Sequence, residues 1–178
     1  EYQLSKEQKE VVSEIFKEWQ QEQPRPCLIK GVTGSGKTQV YMELIEAVLK
    51  QGKQVIVLIP EIALTYQNVV RFYSRFGSCV SVINSRLSVG ERFDQFERAK
   101  KGEVSIVIGP RSALFTPFPN LGLILIDEEH EDSYKSEKTP CYHARETAIR
   151  RGEMEGAHVV LGSASPSVES YYKGKTGE

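Results

Sequence analysis

Cys27-Leu28-Ile29-Lys30-Gly31-Val32-Thr33-Gly34-Ser35-Gly36-Lys37-Thr38 decides the fold. A short apolar run breaks into a glycine-rich turn of the form G-x-x-x-x-G-K-T, and Thr38 to Gln51 then has helical character. Strand, glycine turn and helix in that order are the context in which this pattern cradles phosphate. Residues without Cβ let the turn wrap so that successive backbone N–H groups aim at an anion, and the helix N-terminus adds its partial positive charge. On that reading Gly31, Val32, Thr33, Gly34, Ser35 and Gly36 form the cradle. Lys37 bridges the β and γ phosphates, and Thr38 offers its hydroxyl to Mg²⁺. The plain alternative is a glycine-rich turn with no ligand. A second G-K-T, Gly174-Lys175-Thr176, is set aside because Glu169 stands where the pattern needs glycine and no strand is expected shortly before it.

Outward from this stretch, Val55 to Ile59, Val80 to Ile83, Val104 to Ile108, Leu121 to Ile126 and Val159 to Leu161 are short apolar runs rich in β-branched residues. They do not alternate, so both faces of each strand are expected under helices, as in a parallel sheet. Helices are expected between them: one behind the capping box Ser5–Gln8 and ending before Pro24, then Thr38 to Gln51, Leu64 to Phe76, Val89 to Lys101 behind the capping box Ser88–Glu91, and Ala144 to Glu155. The sum is an α/β chain, a three-layer doubly wound parallel sheet. Five runs end in glycine, proline or acidic residues: Gly31, Pro60-Glu61, Gly109-Pro110-Arg111, Asp127-Glu128 and Gly162-Ser163. Carboxyl ends of parallel strands line one edge, where ligands bind, so these groups should converge.

At 178 residues one domain is expected. With 23 basic and 24 acidic residues the net charge is -1, so no overall field attracts a polyanion and contact with nucleic acid must be local. Three cysteines, Cys27, Cys79 and Cys141, form no C-x-x-C pair, which argues against a zinc knuckle or disulfide framework and for a reducing compartment. No apolar stretch reaches the roughly 18 residues of a membrane helix and no signal peptide opens the chain, so no membrane partner is expected. The missing initial Met suggests a piece of a longer protein.

Leu123-Ile124-Leu125-Ile126 delivers Asp127 and Glu128 at its end. Mg²⁺ takes hard oxygen ligands, so Asp127 is expected to hold it opposite Thr38, while Glu128 polarises the attacking water as general base. An acidic loop after a buried strand is the alternative. Gly162-Ser163-Ala164-Ser165 places small hydroxyls near the acidic pair; sensing of hydrolysis and a serine-rich turn capping a helix are equally open readings.

The order GVTGSGKT, PEIALT, GPRSALF, DEEH, GSAS resembles motifs I, Ia, Ib, II and III of superfamily 2 DExH helicases. More narrowly, VLIPEIALTYQ, VIGPRSALFTPFPNLGLILIDEEHEDSYK, YHARETAIRR and VVLGSASPSVES resemble the first RecA-like lobe of the bacterial primosomal replication-restart helicases, over nearly the whole chain. The resemblance implies a P-loop NTPase lobe, residues 1–178, whose second lobe and DNA-binding and zinc-binding parts lie elsewhere. It implies ATP-driven 3′ to 5′ movement on single-stranded or forked DNA at stalled forks, with ATP and Mg²⁺ as cofactors and zinc only in the part not seen here. It implies primosome proteins and single-stranded-DNA-binding protein as partners, in the bacterial cytoplasm at the nucleoid. It gives Lys37, Thr38, Asp127 and Glu128 to the triphosphate, magnesium and water. It gives Gln8 to adenine, although the capping box alone accounts for a Gln there. Many members have Ser-Ala-Thr where this chain has Ser163-Ala164-Ser165, which keeps a hydroxyl.

Arg111, His130, Ser163 and Ser165 are candidates for DNA contact or coupling. So are Tyr134, Tyr142 and His143 in the stretch Glu131 to Arg145, which looks like an aromatic loop linking DNA contact to hydrolysis; aromatic faces stack on bases without regard to sequence. Tyrosines packed on the lobe are the alternative. Phe115 and Phe118 read as core or turn, and Arg71, Arg75, Arg98, Lys100 and Lys101 as solvated helix faces. Without an arginine finger from a second lobe, the isolated chain is expected to hydrolyse ATP poorly. Competing functions are another DExH translocase of recombination or restriction type, a P-loop small-molecule kinase, and a nucleotide-dependent scaffold.

Overall fold

The computed structural model describes residues 3–31, 35–127, 144–164 and 169–172. Among the described residues seven strands form one sheet: β1 (Cys27–Gly31), β2 (Gln54–Leu58), β3 (Val80–Val82), β4 (Ile106–Gly109), β5 (Leu121–Ile126), β6 (His158–Ala164) and β7 (Glu169–Tyr172), in the spatial order β3-β4-β2-β5-β6-β1-β7. β1 to β6 pair in parallel, and β7 lies antiparallel on β1. The helices are α1 (Lys6–Trp19), α2 (Ser35–Lys50), α3 (Tyr66–Phe76), α4 (Val89–Lys100) and α5 (Ala144–Glu155).

The continuous apolar runs are explained by two cores, one on each face. Val55, Val57, Leu123 and Leu125 turn toward α1, α2 and α3, where Ile15, Leu44, Ile45 and Phe72 meet them. Ile56, Leu58, Ile124 and Ile126 turn the other way, onto Ala99 of α4, Ala148 of α5 and Leu114. All six residues of β5 are buried. Alternate residues serve opposite faces and both faces are dry, so no polar residue interrupts the strand. Truncating such a leucine or isoleucine to alanine costs about 2–5 kcal/mol.

Both capping boxes form: the Ser5 side chain accepts from the Gln8 N–H while Gln8 Oε1 accepts from the Ser5 N–H, and Ser88 and Glu91 do the same for α4. The Glu91 carboxyl is held below the usual range by its hydrogen bonds to Ser88. Two boundaries shift from expectation for local reasons. α2 starts at Ser35, inside the glycine turn, and α3 starts at Tyr66 because the Thr65 side chain accepts from Asn68 N–H. Glu61–Ala63 ahead of it forms a 3₁₀ turn.

One strand escapes the sequence reading. β7, Glu-Ser-Tyr-Tyr, has no apolar run and exists because β1 offers it a ladder. The expectation that no strand stands shortly before Gly174-Lys175-Thr176 is therefore corrected. That strand runs antiparallel, and Glu169 still occupies the glycine position of the pattern. One arginine reading is corrected, that of Arg71, and one is extended. Arg75 is exposed, as read, and also bridges α3 to α2 through Glu43, at 3.3 Å, and Glu46. Its hydrogen bond holds the Glu46 carboxyl below the usual range. Arg71 lines a cavity, described below. Phe118 is buried as expected, whereas Phe115 is exposed at the end of a 3₁₀ turn (Arg111–Phe115). Among the described residues no helix is long and apolar enough to cross a membrane.

Candidate nucleotide site

The carboxyl edge of the sheet gathers the chemistry. β1 ends at Gly31, and α2 begins at Ser35 with no acidic residue in its first turn, leaving its positive dipole end open to an anion. Lys37 sits in that first turn, 2% exposed. β5 carries the chain to Asp127, whose N–H still donates to the Leu58 carbonyl, 2.9 Å, extending the ladder by one bond and fixing the start of the acidic turn. Lys37 Nζ and Asp127 Oδ1 lie 3.4 Å apart. A buried ammonium needs such a partner, because an unpaired charge out of water is expensive. Residues ninety positions apart thus meet at one point.

β6 lies between β5 and β1, so its end separates the acidic strand from the phosphate-loop strand. Gly162 pairs with Ile29 and Ser163 with Lys30, one residue before Gly31. The small residues Gly162 and Ser163 therefore stand between β5, which ends in Asp127, and β1, which ends in Gly31. A cavity of about 290 Å³ opens here, lined by Lys37, Thr38, Tyr41 and Asp127 together with Ile59, Ala63, Asn68, Arg71 and Phe72. Larger hollows exist, but one of about 430 Å³ is lined by Pro24, Gly156 and His158 at the far end of the sheet, away from these charges. The polar convergence, not the volume, marks the smaller one as the site.

Gln8 reaches the same place from α1: its Nε2 donates to the Gly36 carbonyl, 3.0 Å, while its Oε1 serves the capping box. One side chain thus closes the helix start and pins α1 to the phosphate-loop helix. Arg111 is not brought to this cavity. It lies in the turn after β4, two strands from β5, and is 4% exposed. Val32, Thr33, Gly34, Glu128, His130, Tyr134, Tyr142, His143 and Ser165 lie outside the described residues.

Sequence reading missed Tyr41 and Arg71. Tyr41 is 2% exposed and its hydroxyl donates to Asp127 Oδ1, 2.6 Å. Its spacing of four from Lys37, one helical turn, was the available signal. For Arg71 the signal was its spacing of three from Asn68, which puts both on the face of α3 that lines the cavity.

Thr38 and Asp127 bring a hydroxyl and a carboxylate to one cavity, a hard-oxygen set that fits magnesium completed by phosphate and water. Among the described residues there is no group of three or more His, Cys, Asp or Glu that could hold a metal ion.

Comparison with known proteins places the chain in a family. The family described as "Type III restriction enzyme, res subunit" matches residues 1–164. The chain belongs to that family. It is similar to "Replication restart protein PriA" of Bacillus subtilis, 51% identical over 174 residues, and to that of Chlamydia pneumoniae, 48% over 176; each match covers 98% of this chain. It spans 22% and 24% of the length of those two relatives. Among solved structures, RecG bound to a three-way DNA junction superposes with a TM-score of 0.69 at 24% identity, over 93% of this chain and 21% of that one. The Hef helicase domain of Pyrococcus furiosus gives 0.61 at 19%, over 90% and 32%. At such identities the structures speak for the fold, a RecA-like α/β lobe.

Proposed function

We propose that the chain is the ATP-binding lobe of an ATP-dependent DNA helicase of the replication-restart class. The observation that carries this is the meeting of Lys37 and Asp127 at 3.4 Å on the carboxyl edge of the sheet, beside the N-terminus of α2. It is supported by 51% identity to "Replication restart protein PriA" over nearly the whole chain.

In this reading the first turn of α2 and the glycine turn Gly31 to Gly36 hold the phosphates, Lys37 leaves Asp127 for the β and γ oxygens, and Gln8 braces the loop next to the base. Thr38 and Asp127 would hold Mg²⁺, which would supply neutralisation of phosphate charge when bound. Glu128, adjacent in the chain to Asp127, takes a proton from the attacking water. Ser163 and Ser165, on and after the strand between the two halves of the site, register loss of the γ phosphate. Arg111, His130, Tyr134, Tyr142 and His143 relay that change to single-stranded or forked DNA. Movement in the 3′ to 5′ direction, primosome proteins and single-stranded-DNA-binding protein as partners, zinc in another part, and a place in the bacterial cytoplasm at the nucleoid complete the proposal. A restriction or recombination translocase would use the same cavity, and the family description keeps that reading in view.

ATP hydrolysis by the full-length protein, with and without single-stranded DNA, tests the assignment. Strong stimulation by DNA is expected, and turnover indifferent to DNA would favour a small-molecule P-loop enzyme. Glu128→Gln should abolish turnover and spare ATP binding.

A further inference from the structure

Asp127 is gripped from α2 twice. Lys37 and Tyr41, one helical turn apart, both reach Oδ1, the ammonium at 3.4 Å and the hydroxyl at 2.6 Å. A hydroxyl donating to a carboxylate at that distance is a charge-assisted hydrogen bond, among the stronger kinds. The hydroxyl reaches its acceptor only because position 162 is glycine. A Cβ there would lie 1.7 Å from Tyr41 Oη, 2.9 Å from Cζ and 3.3 Å from Asp127 Oδ1. The first of these is sterically impossible, so any side chain at 162 must displace the phenol.

The geometry points to Tyr41 as a positioning residue for the magnesium-holding carboxylate, with Gly162 as the gap through which its hydroxyl reaches Asp127. The inference rests on the role proposed above for Asp127. The reason is chemical. When a triphosphate takes Lys37, the carboxylate loses its cation, and a donor that is neutral and sterically confined keeps its orientation without competing for phosphate. The same contact ties three segments together: α2 with the phosphate loop, β5 with the acidic turn, and β6 with its serine-bearing end. A shift of β6 past Tyr41 would therefore reach the metal site directly. A bland alternative is that Tyr41 merely fills core between α2 and the sheet.

The test uses the full-length protein carrying Tyr41→Phe, which keeps the ring and removes the hydroxyl. Manganese affinity is read by electron paramagnetic resonance with a non-hydrolysable ATP analogue bound, alongside nucleotide affinity without metal and the melting temperature. Outer partners of metal ligands are worth about 10–100-fold in metal affinity, so weakening of Mn²⁺ binding by about tenfold is expected, with metal-free nucleotide affinity unchanged. Gly162→Ala should weaken Mn²⁺ binding alike, and the double variant should fall well short of the product of the two effects, because the hydroxyl whose bond to Asp127 it would break is already gone. Unchanged Mn²⁺ affinity in Tyr41→Phe, with or without a lower melting temperature, overturns the proposal in favour of packing. Independent, multiplying effects of the two changes overturn the part assigned to Gly162. Asp127→Asn separates the layers. If Mn²⁺ affinity survives it, the role of Asp127 itself falls; if only Asp127→Asn acts, Asp127 stands and Tyr41 is dismissed.

Discussion

The two edges of the sheet use the same residue types in different ways. At the amino edge, where helices return to strands, glycine solves a problem of direction. Gly52 and Gly102 have φ of 75° and 80°, and a Cβ at either would meet nothing within 4 Å. Around Gly102 the turn is a Schellman cap: its N–H donates to the Ala99 carbonyl at 3.1 Å and the Glu103 N–H to that of Arg98 at 2.9 Å. Room is a problem at both edges: at the amino edge a Cβ at Gly122 would lie 2.7 Å from Lys53 Cβ and one at Gly152 2.7 Å from Val159 Cγ2, and at the carboxyl edge room is the whole of the glycine's use. Gly109 and Gly162 carry no left-handed φ, but a Cβ at Gly109 would lie 2.8 Å from the Ile83 carbonyl oxygen. Both edges bury charge: the carboxyl edge holds Lys37 and Arg111, and the amino edge holds Glu18, ion-paired with Arg25 at 2.8 Å, next to Trp19 stacked on His158, centroids 4.2 Å apart and planes at 4°. Burial there leaves the thiol of Cys27 inert, its pKa pushed up to about 12. Among the described residues the left-handed turns belong to the amino edge and the cavity lined by Lys37 and Asp127 to the carboxyl edge, and substitutions should separate the two.

Lys37→Ala is expected to have the largest effect, a loss of at least about 100-fold in ATP turnover by the full-length protein with the fold intact by circular dichroism. Residual turnover near the starting value would remove the carboxyl edge from the chemistry. Gly109→Ala should destabilise by about 2–3 kcal/mol, since backbone and the Ala113 side chain, 3.0 Å from the added carbon, must move. Denaturant titration measures it. Gly102→Ala, strained only in its own dihedrals, should cost about 1 kcal/mol and leave nucleotide binding untouched; a change in binding would blur the division between edges.

The smallest effect concerns pH. Burial, with Lys53 nearby, lowers the pKa of His158 from 6.5 to about 4. The unfolded chain therefore binds the extra proton first, so stability is full above pH 6.5 and declines as pH falls toward 4. Allowing for the partial exposure of the ring, about 1 kcal/mol should be lost between pH 7.5 and 5. Trp19 is the sole tryptophan, so its fluorescence reports the transition, and His158→Phe should flatten the slope.

The strands and the phosphate loop were legible because their signals are local: a dry strand is a run of four to six apolar residues, and the loop is eight consecutive positions. Lys37 and Asp127 were legible as a pair because each ends or follows such a run. Tyr41 was not, since within Val40-Tyr41-Met42 it looks like one more apolar helix position and its partner lies 86 residues on. Gly162 was read as a small residue of the GSAS string, because the phenol that requires it comes from another element. The ion pairs of Arg75 were not foreseen because its acceptors belong to α2, and the packing of α3 on α2 is not written in either helix. β7 has no pattern of its own and borrows its conformation from β1.

That borrowed strand has a further consequence. A strand at the rim of a sheet shows a row of unsatisfied amide and carbonyl groups, which invites a neighbour of any origin to join. Cys27 to Lys30 would be such a rim, but Glu169 to Tyr172 lies alongside it, and the exposed borders pass to β7 and the three-residue β3. Shortening a recombinant piece to residue 164 would strip that cover, leaving the segment that leads into the phosphate cradle as an adhesive seam between molecules.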